Sequence, residues 1–166
     1  MMLPENNTIT LLGVGNILLT DEGLGVHVIN TLKDNYFFTP AINIIDGGTM
    51  GMELLSYMDG MKRLILVDAI NGGEEPGTVY EFTHQEVENY FTKNISAHEV
   101  GIQDILRIRA LQEEPLEAAT VIGVEPFSLE IGLEPSSVVA KVLPEVISRV
   151  IHILMEWGVE VKKRDD

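Results

Sequence analysis

Glu22, Asp68 and His98 supply two carboxylates and one imidazole. Side chains of these types bind divalent cations of borderline softness, and nickel and zinc both tolerate the set. Three protein ligands leave a coordination position open, so a metal held this way can also meet something else. Either carboxylate, Asp68 or Glu22, can instead act as a general base toward water. The three residues lie far apart in sequence, so their spacing alone is not specific, and each has an ordinary structural alternative. Asp68 also reads as a strand-end acid capping a neighbouring backbone group. Glu22 also reads as a solvated acid favoured by a helix dipole, and His98 as a surface histidine at a helix start.

The run Gly13-Val14-Gly15-Asn16-Ile17-Leu18-Leu19-Thr20-Asp21-Glu22-Gly23 follows an apolar β-type stretch and precedes a helical pattern. It opens like a phosphate-binding loop. Leu18, however, stands where a dinucleotide fingerprint wants its third glycine, and the two acids put negative charge where a phosphate needs a positive site. A carboxylate site that meets a cation is expected instead. Asp46-Gly47-Gly48-Thr49 ends another strand. Its glycines allow a tight turn beside a bound peptide or ion, or a plain strand-to-helix turn capped by Thr49. It is not the Asp-Thr-Gly motif of pepsin-like enzymes, and no serine stands in a Gly-x-Ser-x-Gly elbow, which argues against serine-type hydrolysis. Among the other histidines, His27 reads as packed or half-exposed inside the first helix, His84 as solvated, and His152 as a bland neighbour of the last helix's apolar stripe.

The elements that must position these residues belong to one domain, because 166 residues suffice for one sizeable core. A net charge of −15 repels nucleic acid and anionic membranes and favours cationic partners, either metal ions or basic peptide segments. There is no cysteine, so disulfides, thiolate metal sites and cysteine nucleophiles are excluded. Residues Met1 to Thr8 lack the apolar core of a signal peptide, and no apolar run approaches the ~20 residues of a membrane span. A cytoplasmic protein is the expectation, and nothing requires more than a monomer.

Short apolar runs alternate with amphipathic stretches, the mark of an α/β domain. Strands are expected at about 8–14, 42–46, 62–69, 78–83 and 118–124. Arg63-Leu64-Ile65-Leu66-Val67 and Thr120-Val121-Ile122-Gly123-Val124 are nearly continuous in apolar residues, as strands covered on both faces are. Helices are expected to start near Gly23, Met50, Ser96 and Ser136, the third with Glu99 at a capping-box spacing from Ser96. In the last helix Val139, Val142, Val146, Val150, Leu154 and Trp157 form one buried stripe that Pro144 kinks or divides. The tail Lys162-Lys163-Arg164-Asp165-Asp166 is expected to fray.

One connection constrains the topology. Only Ile70 to Gly77 separate the third and fourth strands, too few for a parallel crossover, so the fourth must run antiparallel in a mostly parallel five-stranded sheet. The loop with Glu22, the end of the strand with Asp68 and the helix start with His98 then share the carboxyl edge, where open α/β sheets place ligands.

The matching segments of a known family now come into view. They are Gly13 to Val26, Asp46-Gly47-Gly48-Thr49-Met50-Gly51-Met52-Glu53-Leu54-Leu55, Val67-Asp68-Ala69 with Pro76-Gly77-Thr78, Ser96-Ala97-His98-Glu99-Val100-Gly101, and Gly123-Val124-Glu125-Pro126. In order and spacing, over residues 9 to 155, the chain resembles the [NiFe]-hydrogenase maturation proteases. The resemblance implies a three-layer α/β/α fold, with the twisted sheet between helices on both faces. It implies that Glu22, Asp68 and His98 bind nickel, which belongs to the client, with zinc or another divalent ion able to substitute. It implies a client too, the precursor of a hydrogenase large subunit, whose C-terminal extension is removed after nickel insertion. The alternatives are a related peptidase of the same fold acting on another precursor, and a nonenzymatic nickel-binding maturation chaperone.

Overall fold

The computed structural model describes residues 8–49, 52–57, 60–83, 86 and 116–165. Five strands form the main sheet: β1 (Ile9–Val14), β3 (Asn43–Gly48), β4 (Arg63–Ala69), β5 (Val79–Thr83) and β6 (Ala118–Val124), in the order β3-β1-β4-β6-β5. All neighbours pair in parallel except β5, which runs antiparallel to β6, with Val79 opposite Val124 and Thr83 opposite Thr120. The short glycine-bearing connection after β4 imposes this reversal, as the sequence requires.

Strand side chains point alternately to the two faces. Leu11, Ile65, Val67, Ile122 and Val124 pack with α1 (Leu24–Asn35) and with a pair of C-terminal helices, α2 (Ser137–Ala140) and α3 (Leu143–Glu156). Leu12, Leu64, Leu66 and Val121 belong to a second buried cluster on the opposite face, with Met61 and Ile70. Burial on both faces makes this a three-layer α/β/α fold.

Helix α1 approaches the sheet closely because two glycines allow it. A Cβ on Gly25 would lie 2.2 Å from the carbonyl oxygen of Val67, and one on Gly13 would lie 2.4 Å from that of Gly25. The helix start is thereby seated over the ends of β1 and β4. Pro144 divides the C-terminal helical region: it lies in the first turn of α3, where its missing N–H leaves no helical bond unmade. Ser136 caps α2 by accepting from the Val139 N–H at 3.3 Å. The apolar stripe is as expected, with Val139, Val146, Val150 and Leu154 buried and Val142 and Trp157 packed against them.

Two departures stand out. The tail does not fray: β7 (Glu160–Lys163) pairs antiparallel with β2 (Tyr36–Thr39) in a separate ribbon. Beyond it the Arg164 N–H donates to the Asn35 carbonyl at 2.7 Å, and its guanidinium lies 4.0 Å from the centre of the Phe37 ring. Backbone pairing and a cation–π contact hold these charged residues, which composition alone reads as loose. The helix expected from Met50 is, over its described part, a 3₁₀ helix at Met52–Tyr57. The helix expected from Ser96, with His98 in its first turn, lies outside the described residues.

Candidate active site

The carboxyl edge of the parallel strands is organised around the turn after β1. Gly15 adopts φ +123°, a conformation that side chains rarely reach. Its N–H donates to the Gly48 carbonyl at 2.8 Å, tying the ends of β1 and β3. A Cβ at this position would lie 1.8 Å from the Glu22 carbonyl oxygen and 3.8 Å from Asp68 Oδ1. Gly15 is thus the point at which the Glu22 backbone and the Asp68 side chain come together.

Between Gly15 and Glu22 the chain folds back through a side-chain turn in which Leu18 N–H donates to Asn16 Oδ1 at 2.9 Å. A 3₁₀ turn at Thr20–Gly23 follows and leads directly into α1. Glu22 is half-buried, with Oε1 shut off from solvent. Asp68, near the end of β4 and opposite Gly123 of β6, is only 4% exposed. Its Oδ1 accepts the Ala69 N–H at 2.8 Å, so the capping role open to a strand-end acid is realised at the carboxyl edge of the sheet.

Two further acids shape the site: Asp21, expected with Glu22 to form a carboxylate site that meets a cation, instead turns inward to protein donors, and Glu125 has no role assigned from the sequence. Asp21 is fully buried. Its Oδ2 accepts the N–H groups of Phe127 and Ser128 at 2.9 Å each and the Ser136 hydroxyl at 2.8 Å, while Oδ1 accepts the Ser136 N–H at 2.7 Å. Glu125, at the end of β6 and 4% exposed, accepts the Glu74 N–H at 2.8 Å and the Tyr80 hydroxyl at 3.1 Å. It thereby fixes the loop between β4 and β5. Burial pushes the Tyr80 hydroxyl above its ordinary pKa of 10.0, and the hydrogen bond and charge of Glu125 push it further. The resemblance had marked Glu125 only as part of a segment, and Asp21 only as the neighbour of Glu22.

Asp46 is exposed at the end of β3, beside Gly48 with φ +46°. His27 is half-buried in α1, as expected. His152 is well exposed on α3, and its Nε2 lies 2.9 Å from Glu156. His84 and His98 lie outside the described residues. Among the described residues, no three His, Cys, Asp or Glu side chains converge on a metal position. Glu22 and Asp68 are acidic oxygen donors at one sheet edge, and donors of this type suit a hard or borderline divalent ion.

Comparison with known proteins is consistent across sequence and fold. A family model described as hydrogenase maturation protease matches residues 26–153. The chain is 41% identical over 160 residues to the hydrogenase 2 maturation protease of Escherichia coli (strain K12), covering 95% of this chain and 96% of that one. It is 35% identical over 165 residues to the hydrogenase expression/formation protein HupD of Rhizobium leguminosarum bv. viciae, covering 98% of this chain and 82% of that one. The solved structure of the hydrogenase maturating endopeptidase HybD from E. coli superposes with a TM-score of 0.89 at 39% identity, over 94% of this chain and 97% of that chain. The chain belongs to the hydrogenase maturation protease family.

Proposed function

We propose that this protein is an endopeptidase that removes the C-terminal extension of a nickel-loaded [NiFe]-hydrogenase large-subunit precursor. Glu22, Asp68 and His98 would grasp the client's own nickel, and Asp68 or Glu22 would serve in the hydrolysis. The observation that carries this reading is the meeting of the Glu22 backbone and the Asp68 carboxylate at Gly15, on the edge where α/β sheets bind ligands.

The chemistry is economical. A protease that must act only on metal-loaded client can use that metal as its handle. Open positions on the nickel accept oxygen and imidazole ligands from the protease. The metal-free precursor offers no such contact, so selectivity is a difference of affinities. Peptide hydrolysis then needs a base to take a proton from water as the water oxygen bonds to the scissile carbonyl carbon. The proton passes to the departing nitrogen as the C–N bond breaks. Asp68, buried and held by the Ala69 N–H, is a fixed carboxylate suited to the base role, and the client's metal can polarise the carbonyl.

Among the described residues no helix is long and apolar enough to cross a membrane, and the reading places a monomeric enzyme in the cytoplasm with its client. The test is to incubate the purified protein with metal-loaded and metal-free precursor and to follow the shortened large subunit on a gel. Cleavage of the loaded form alone is expected. Equal cleavage of both forms would remove the metal from recognition. Nickel transfer without shortening would make the protein a chaperone instead.

A further inference from the structure

Residues 126–136 form an extended loop after β6 in which apolar and polar residues alternate. Phe127, Leu129, Ile131 and Leu133 are 63%, 52%, 91% and 63% exposed. The backbone of the residues between them is satisfied internally. Asp21 N–H donates to the Ser128 carbonyl at 3.1 Å, and the Thr20 hydroxyl donates to the Glu130 carbonyl. Thr20 N–H donates to the Gly132 carbonyl, and Gly132 N–H to Leu18, each at 2.9 Å. The buried Asp21 carboxylate completes the clamp through Phe127, Ser128 and Ser136. The loop is therefore held rigid with its large apolar side chains turned to water, an arrangement that marks an interaction surface. Ile17 and Leu18, also exposed, extend the apolar character onto the loop it is clamped to, and that loop continues directly into Glu22. Glu130 and Glu134 are exposed within the ridge, which holds no lysine, arginine or histidine.

We propose that this ridge is the docking surface for the client protein. It would receive a client segment of apolar side chains interspersed with lysine or arginine, and so deliver the scissile region to the adjoining acids. The inference rests on the endopeptidase reading above. Continuity with the Glu22 loop singles out the client as the occupant, and the exposed Glu130 and Glu134, with no basic residue beside them, favour a segment that carries lysine or arginine. A rigid ridge also lowers the ordering cost of docking.

The test is the double variant Leu129→Ser/Ile131→Ser, which alters only exposed side chains and should fold normally. Processing of metal-loaded precursor should show KM raised about tenfold or more, with kcat changed far less. Affinity for nickel ions alone, measured by calorimetry, should be unchanged. The separate variant Glu130→Lys/Glu134→Lys should also raise KM and should flatten its dependence on salt. A wild-type KM in both variants would overturn the proposal. So would a wild-type dimer that the serine variant converts to monomer with KM unchanged, since a second copy would then occupy the ridge. If the wild-type protein cuts no precursor, the endopeptidase reading falls. Direct binding of precursor to wild type and variants then still decides docking: equal binding overturns it, and loss in the variants supports it.

Discussion

Asp21 and Ser136 are joined twice. The Ser136 N–H donates to one carboxylate oxygen of Asp21 at 2.7 Å, and its hydroxyl donates to the other at 2.8 Å. With the N–H groups of Phe127 and Ser128 on the same carboxylate, this pair locks the loop after β6 onto the loop before α1. A fully buried carboxylate is tolerated here because donors surround it.

Replacing Asp21 with alanine should therefore destabilise the protein by about 3 kcal/mol or more, since it strands several buried donors at once. Urea denaturation checks this. A change within about 0.5 kcal/mol, the range of an ordinary surface substitution, would contradict the clamp.

Gly15→Ala should be disruptive for a different reason. The new Cβ would collide with the Glu22 carbonyl oxygen at 1.8 Å, and φ +123° is itself unfavourable for alanine. A cost of about 3 kcal/mol or more is expected, unless the Glu22 loop moves away from Asp68. In that case stability recovers but processing is lost. A variant with both stability and activity intact would remove Gly15 as the organiser of the site.

Asp68→Asn keeps an oxygen for the Ala69 N–H, so the fold should survive while precursor processing disappears. Circular dichroism and the gel assay together test this, and cleavage at the normal rate would remove Asp68 from the chemistry. In parallel, His98→Ala should weaken nickel binding measured by calorimetry. Unchanged affinity would take His98 out of the ligand set.

Tyr80 predicts an alkaline response. Its folded pKa is raised above 10.0, so with rising pH the unfolded chain gives up the phenolic proton first. The stability associated with this group is fully present below the unfolded pKa and is lost as pH rises through the folded one. Tyr80→Phe should cost about 1–2 kcal/mol at neutral pH by removing the bond to Glu125. It should also flatten the fall in stability that begins as pH approaches the ordinary tyrosine value of 10.0 and continues above it. Parallel curves for variant and wild type would be the contrary result.

Much of the frame was legible in the residues. The buried strands announced themselves as apolar runs. The reversal of β5 followed from the shortness of the segment after Ala69, and the division of the last helix from Pro144. The placing of Glu22 and Asp68 at one edge followed from that topology. The ribbon of β2 and β7 was not legible, because its short strands Tyr36–Thr39 and Glu160–Lys163 carry too few residues for a period to emerge. The Asp21 clamp was hidden for another reason. Three of its four donors are backbone N–H groups more than one hundred residues away, and a backbone donor leaves no trace in residue type. Glu125 escaped notice likewise, since one of its two partners is the Glu74 N–H.

The β2–β7 ribbon has a practical bearing on such measurements. It follows the far end of α1, and the Arg63 guanidinium at the opening of β4 contacts the Trp157 carbonyl just before it, so it sits at the sheet's opposite rim from Glu22 and Asp68. Immobilising the protein on a sensor through its last residues would leave the acidic mouth facing the bulk solution, oriented to receive an incoming client.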